Sequence, residues 1–148
     1  MSNHIVIKKL ETSTSHISLC DDGIIRVSFK KKVEIDIIQT KENHEAYNRL
    51  VENKKYAFLF WAEDGDVVYT NEASKYSKSN EDAYPKICIA VLVKTLAHRL
   101  IANFYLKFNK SKVPFMVFNN LKDAEVWCVK ENHKYTIAEK TGGKIVLF

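Results

Sequence analysis

Glycine is scarce: Gly23, Gly65, Gly142 and Gly143 are the four in 148 residues. A GxGxxG dinucleotide turn cannot be written from them, and no GxxxxGK precedes any lysine. Chemistry built on phosphate-cradling glycine loops is therefore excluded. The three cysteines, Cys20, Cys88 and Cys128, are odd in number and far apart, with no CxxC pair. That pattern points away from a disulfide framework or a zinc knuckle and towards a reduced cytoplasm. Cys88, inside an apolar run, reads as an inert core thiol. The histidines at 4, 16, 44, 98 and 133 show no HxxxH or HExxH spacing, and no serine or cysteine sits in a nucleophile elbow. No apolar run exceeds the seven residues of Ile87 to Val93, about a third of what a membrane span needs. The first residues carry no basic segment followed by a long apolar stretch, so no signal peptide is expected.

What is present is an ordinary globular composition, 46% hydrophobic and 28% charged, with formal net charge +5. It predicts one domain with a core of its own. The charge is uneven. Residues 1–74 hold 10 basic and 12 acidic side chains, and residues 75–148 hold 13 and 6. From 83 to 122 there is no Asp or Glu at all, yet Lys86, Lys94, Arg99, Lys107, Lys110, Lys112 and Lys122 fall there.

Periodicity places the elements. A hairpin is expected from His16 to Leu19 and Ile24 to Phe29 around Asp21-Asp22-Gly23. Ile25, Val27 and Phe29 alternate with Arg26 and Ser28, the signature of one buried face. Asp36 with Gln39 reads as a capping box opening a helix to about Asn53, whose apolar stripe is weak at first and firm at Tyr47, Leu50 and Val51. Tyr56 to Trp61 is continuously apolar, as in a central strand covered on both faces. An acidic turn at Glu63, Asp64 and Asp66 follows, and then a short helix capped by Thr70 or Asn71. Ile87 to Val93 is a second buried strand, Thr95 to Phe108 a helix with Leu96, Leu100, Ile101, Phe104 and Phe108 on its apolar face, and Phe115 to Phe118 a third strand. Asn120 caps a last helix that turns Leu121, Ala124, Trp127 and Cys128 inward. The order ββαβαβαβα predicts an α/β fold, with a mostly parallel central sheet, alternating helices and an N-terminal antiparallel hairpin at its edge. The domain is placed at 16–133. Residues 1–15 are an N-terminal extension and 134–148 a C-terminal one, with a short hairpin around Gly142-Gly143. The terminal Ile145-Val146-Leu147-Phe148 reads as an apolar strand that pairs along a sheet edge or between two copies in a homodimer.

The run His98-Arg99-Leu100-Ile101-Ala102-Asn103-Phe104-Tyr105-Leu106-Lys107-Phe108-Asn109-Lys110, then Val113-Pro114, Phe118-Asn119, Ala124 and Trp127, resembles a family of small bacterial STAS-like proteins. Those are related in fold to the anti-sigma-factor antagonists and more loosely to CRAL-TRIO lipid-binding domains. The resemblance covers roughly His16 to Lys130. It implies a non-enzymatic regulatory or protein-interaction domain without a cofactor. In the antagonists a phosphorylatable hydroxyl precedes the second helix, and Thr70 stands at the matching place. Here Tyr69 replaces the aspartate that usually precedes it and no glycine follows, so helix capping is the plainer role for Thr70.

On the 95–108 helix Arg99, Asn103 and Lys107 recur every four residues as one polar, cationic stripe. Lys94, Lys110 and Lys112 extend it. This surface suits an acidic protein partner, an anionic ligand or a lipid headgroup, and a solubilising face is the plain alternative. Phe104 and Phe108 fall on the core side of the helix, which argues against base stacking and nucleic acid. Two other readings stay open. One is a small-molecule or lipid carrier with a pocket lined by Leu96, Leu100 or Phe104. The other is a hydrolase, which would need a cleft joining Glu63 or Asp66 to a histidine.

Overall fold

The computed structural model describes residues 4–64, 67–95 and 111–142. Six strands form the main sheet in the order β1-β2-β3-β5-β7-β8. They are β1 (Val6–Glu11), β2 (Ser15–Cys20), β3 (Ile24–Phe29), β5 (Ala57–Ala62), β7 (Cys88–Leu92) and β8 (Phe115–Phe118). A separate two-stranded ladder pairs β4 (Glu34–Ile35) with β6 (Val68–Tyr69). The β1-β2-β3 meander is antiparallel, whereas β3, β5, β7 and β8 run parallel. This is the expected α/β architecture.

The local chemistry explains the elements. Gly23 adopts φ +77°, and its N–H donates to the Cys20 carbonyl at 3.1 Å, closing the β2–β3 turn. The side-chain amide of Asn132, far along the chain, donates to the Gly23 carbonyl at 2.9 Å and so ties this turn to the last helix. Helix α1 (Ile37–Val51) begins with the expected capping box: the Asp36 side chain accepts from the helix N-terminus while the Asp36 N–H donates to Gln39 Oε1 at 3.0 Å. Helix α2 (Asn71–Ser79) is capped by Thr70, and helix α3 (Leu121–Lys140) by Asn120, whose Oδ1 accepts from Asp123 N–H at 3.0 Å.

Successive strand residues face opposite ways, so the sheet carries a core on each side. On one side Ile25, Val27, Phe29 and Phe58 pack against Tyr47, Leu50 and Val51 of α1. On the other, Ile24, Ala57, Leu59, Cys88 and Ala90 meet Ala124 and Cys128 of α3. Cys88 and Cys128 are wholly buried and adjacent. The neighbouring Cys128 and then burial push the Cys88 thiol far up, as expected for an inert core group.

Three expectations need correction. Residues 1–15 are not merely an extension, because β1 is the sheet's edge strand; its run Lys8-Lys9 breaks the alternation a half-buried strand would show. The second face of β3 is not solvent-facing: α3 covers it, and Arg26 is only 7% exposed. At the other end, residues 134–140 form no hairpin strand but continue α3. They are helped by the Glu131–Lys134 ion pair at 3.3 Å and by Lys55, whose ammonium lies 5.6 Å from the Tyr135 ring centre. Gly142, at φ +64°, follows the helix end as a left-handed glycine commonly does. The terminal strand proposed from Ile145 to Phe148 lies outside the described residues.

Candidate functional site

The inner face of α1 is polar in its first half and aromatic in its second. Thr40, Asn43, His44 and Tyr47 all point beneath the helix, which is why the apolar stripe reads weakly at its start. Together with α2 and one face of β3, β5, β7 and β8 they line a partly open cavity of about 460 Å³. Phe29, Phe60, Ala62, Ile89, Val91 and Phe115 supply much of an apolar wall. Tyr84 is the organising ring. Tyr47 and Phe58 each meet it edge-on with centroids 4.8 Å apart, and His44 lies 5.1 Å from it. Burial raises the Tyr47 and Tyr84 phenols above their ordinary range, so both stay protonated at neutral pH.

Lys78 and Glu81, which pair with each other at 3.2 Å, line this cavity together with His44 and Lys86. His44 Nδ1 is buried with no hydrogen-bond partner among the described residues. Desolvation first, and then the charge of Lys86, pull its pKa down to about 4, leaving a neutral imidazole. Lys86 is 8% exposed. Its ammonium donates to the Glu81 carbonyl and, at 3.3 Å, to the Tyr84 carbonyl, and sits 4.1 Å from the Tyr84 ring centre. Burial lowers its pKa, partly offset by Glu81 and Asp82.

His44 gives folding a defined acid sensitivity. Its folded pKa lies below the value of about 6.5 usual for an unfolded chain, so between these values the unfolded chain binds the extra proton. Stability is fully present above that window and falls as pH drops through it. Between pH 7 and about 4.5 the wild type is expected to lose about 1–2 kcal/mol more than His44→Phe, read from urea midpoints. Parallel pH profiles would show that His44 does not titrate as described.

The residues singled out from sequence are placed as follows. Arg99, Asn103, Lys107 and Lys110 lie outside the described residues, as do Leu96, Leu100 and Phe104. Val93 and Ser111, which flank that stretch, both border the cavity. Lys94 is exposed. Lys112 is paired: its ammonium meets Asp82 at 2.9 Å and its backbone N–H donates to Glu81 at 3.3 Å. The acidic pair just before the acid-free stretch thus folds back onto it. Thr70 is committed as a cap, accepting from Ala73 N–H at 3.0 Å and donating to Asp36 Oδ1 at 2.8 Å. Glu63 does meet a histidine, His16, at 3.5 Å, but on the surface and away from the cavity.

Among the described residues one trio converges closely enough for a cation: ligand atoms of His4, Asp22 and Glu125 lie within 4.8 Å of one another. Both carboxylates are already held by Arg26, through Asp22 Oδ1 at 3.1 Å and Oδ2 at 2.8 Å and through Glu125 Oε2. This cluster reads as a structural clamp.

Sequence reasoning missed His44 and Lys86. The available signals were His44 three residues before Tyr47 on one helix face, and Lys86 abutting the buried run that starts at Ile87.

Fold and site together define an α/β domain with an aromatic cavity between its helices and a mostly parallel sheet. A family model described as Domain of unknown function (DUF7793) matches residues 18–131, and the chain belongs to that family. No curated protein and no solved structure gives a significant match. No described helix is long and apolar enough to cross a membrane.

Proposed function

We propose that this domain is a non-enzymatic binding module that takes a small, largely apolar molecule into the cavity between α1, α2 and the sheet. The observation that carries the reading is the cavity itself. Protein interiors pack densely and leave few voids larger than a water molecule, whereas 460 Å³ falls within the ~300–1,000 Å³ of small-molecule sites. The wall has the usual make-up of such sites, many aromatic and aliphatic side chains with a few polar groups.

A STAS-like relationship and a regulatory role belong to the same proposal. They are supported by the parallel β3-β5-β7-β8 core with an antiparallel meander at its edge. Three free, buried cysteines favour a reducing, cytoplasmic setting. An acidic protein partner captured through Lys94, Arg99, Asn103, Lys107, Lys110 and Lys112 is the weaker reading, because Asp82 already neutralises Lys112.

Titration with the neutral fluorophore N-phenylnaphthylamine tests the cavity. Saturable one-to-one enhancement is expected. Ala62→Trp, which fills the lining at the end of β5, should weaken it at least about tenfold while leaving the circular dichroism spectrum unchanged. Linear, unsaturable fluorescence, or equal binding by the folded variant, would overturn the reading.

A further inference from the structure

We infer that the molecule held in this cavity is an apolar monocarboxylate whose acid group lies between Lys86 and His44. The inference rests on the binding reading above and adds the ligand's chemical class.

Lys86 is buried in the cavity wall. A lysine more than nine-tenths buried is rare unless a counter-charge accompanies it, and among the described residues no carboxylate forms an ion pair with this one. The two acids nearest in sequence are engaged elsewhere: Glu81 with Lys78 at 3.2 Å and with the Lys112 N–H, and Asp82 with the Lys112 ammonium. Lys86 is left with two backbone carbonyls and the face of Tyr84. An ammonium has three donors, so one remains for a ligand.

His44 supplies the second, independent observation. It flanks the same Tyr84 ring, lines the same cavity, and its buried Nδ1 has no hydrogen-bond partner among the described residues. A buried ring nitrogen without a partner costs stability unless something fills the role. A carboxylate satisfies both groups at once, pairing with the ammonium and accepting from the imidazole N–H. The apolar part of the wall, Phe29, Phe60, Ile89, Val91 and Phe115, offers an apolar body much to pack against. A dianion or a phosphate is a poor match, since Lys78 and Glu81 of the lining pair with each other and leave the single charge of Lys86 to be balanced.

The test is displacement of N-phenylnaphthylamine by two matched pairs, decanoate against decanol and naphthoate against naphthylmethanol, which separate an alkyl from an aryl body. At neutral pH at least one acid should displace the fluorophore at a concentration about tenfold or more below its alcohol. Lys86→Met should erase that preference and leave the alcohol's competition unchanged. Equal competition by acid and alcohol in both pairs overturns the inference, as does a preference that survives in Lys86→Met. The comparison within the wild type decides the matter even if the variant fails to fold. Failure here while the fluorophore still binds one-to-one removes only the carboxylate, whereas failure of the fluorophore itself removes the cavity reading.

Discussion

Replacing Arg26 by Met is expected to destabilise the domain by about 3–5 kcal/mol, the largest effect anticipated from a single change here. Arg26 lies in the second residue-facing row of β3, 7% exposed beneath α3. Burial alone would weaken its charge, but the hydrogen bonds it donates to Asp22 and Glu125 more than offset that and hold the guanidinium firmly protonated. Its fork grips both oxygens of Asp22 and reaches Glu125 on the far helix. Met preserves the packing of the aliphatic stem, so the loss reports the charge. Two partly buried carboxylates would then face each other without compensation. Adding Asp22→Asn and Glu125→Gln to Arg26→Met should recover at least half of the loss, because neutral groups tolerate burial better than unpaired charges. Urea unfolding measures both variants. A loss below about 1 kcal/mol for Arg26→Met would mean that the clamp contributes little more than an exposed pair.

The second large effect is expected at Asn43. This residue is 3% exposed on α1 and joins the β1–β2 turn to the helix. Its side-chain carbonyl accepts from Thr12 Oγ1 at 2.7 Å and Ser15 Oγ at 3.0 Å, and its amide donates to Thr14 Oγ1 at 3.1 Å. Asn43→Leu keeps much of the volume and strands these buried hydroxyls. A cost of about 3 kcal/mol is expected, larger than any one hydrogen bond contributes, because removing one partner leaves several unsatisfied. Amide exchange at Thr12 and Ser15 should quicken more than at Phe58 in the centre of the sheet. Asn43→Asp, which keeps the acceptors and loses the donor, should fall between the wild type and Asn43→Leu. Uniform acceleration across the sheet would indicate a global loss with no special role for the turn.

Much of the fold is legible in sequence because its signals are local. The Asp36–Gln39 box, the Gly23 turn, the Thr70 and Asn120 caps and the apolar runs at 57–62 and 88–92 each declare themselves within a few residues. The reading of Arg26 turns on a distant partner. Arg26 alternates correctly as the outward residue of a strand, and only a helix beginning about a hundred residues later makes that outer face an interior. The edge strand β1 has no buried face to impose a period. Lys86 counts as one more cation in an acid-free stretch until Glu81 and Asp82 are seen to be engaged by Lys78 and Lys112.

The cavity was illegible for a further reason. Patterning says which side chains point inward, and it carries no information on whether their volumes fill the space between α1, α2 and the sheet. Polar residues at Thr40, Asn43 and His44 on the inner face of α1 are its trace in the sequence. Asn43 is explained by the turn it anchors; the His44 ring packs against Tyr76 and Tyr84, and its unpartnered Nδ1 is what the proposed occupant accounts for.

The central claim is that a ligand enters between the helices and the sheet, and amide chemical-shift mapping with N-phenylnaphthylamine tests it most directly. The account predicts that the perturbations centre on His44, Tyr47, Tyr84, Lys86 and Val91, with β1 and the outer face of α3 unmoved. Perturbations confined to β1 or α3, or none at saturating probe, would contradict it.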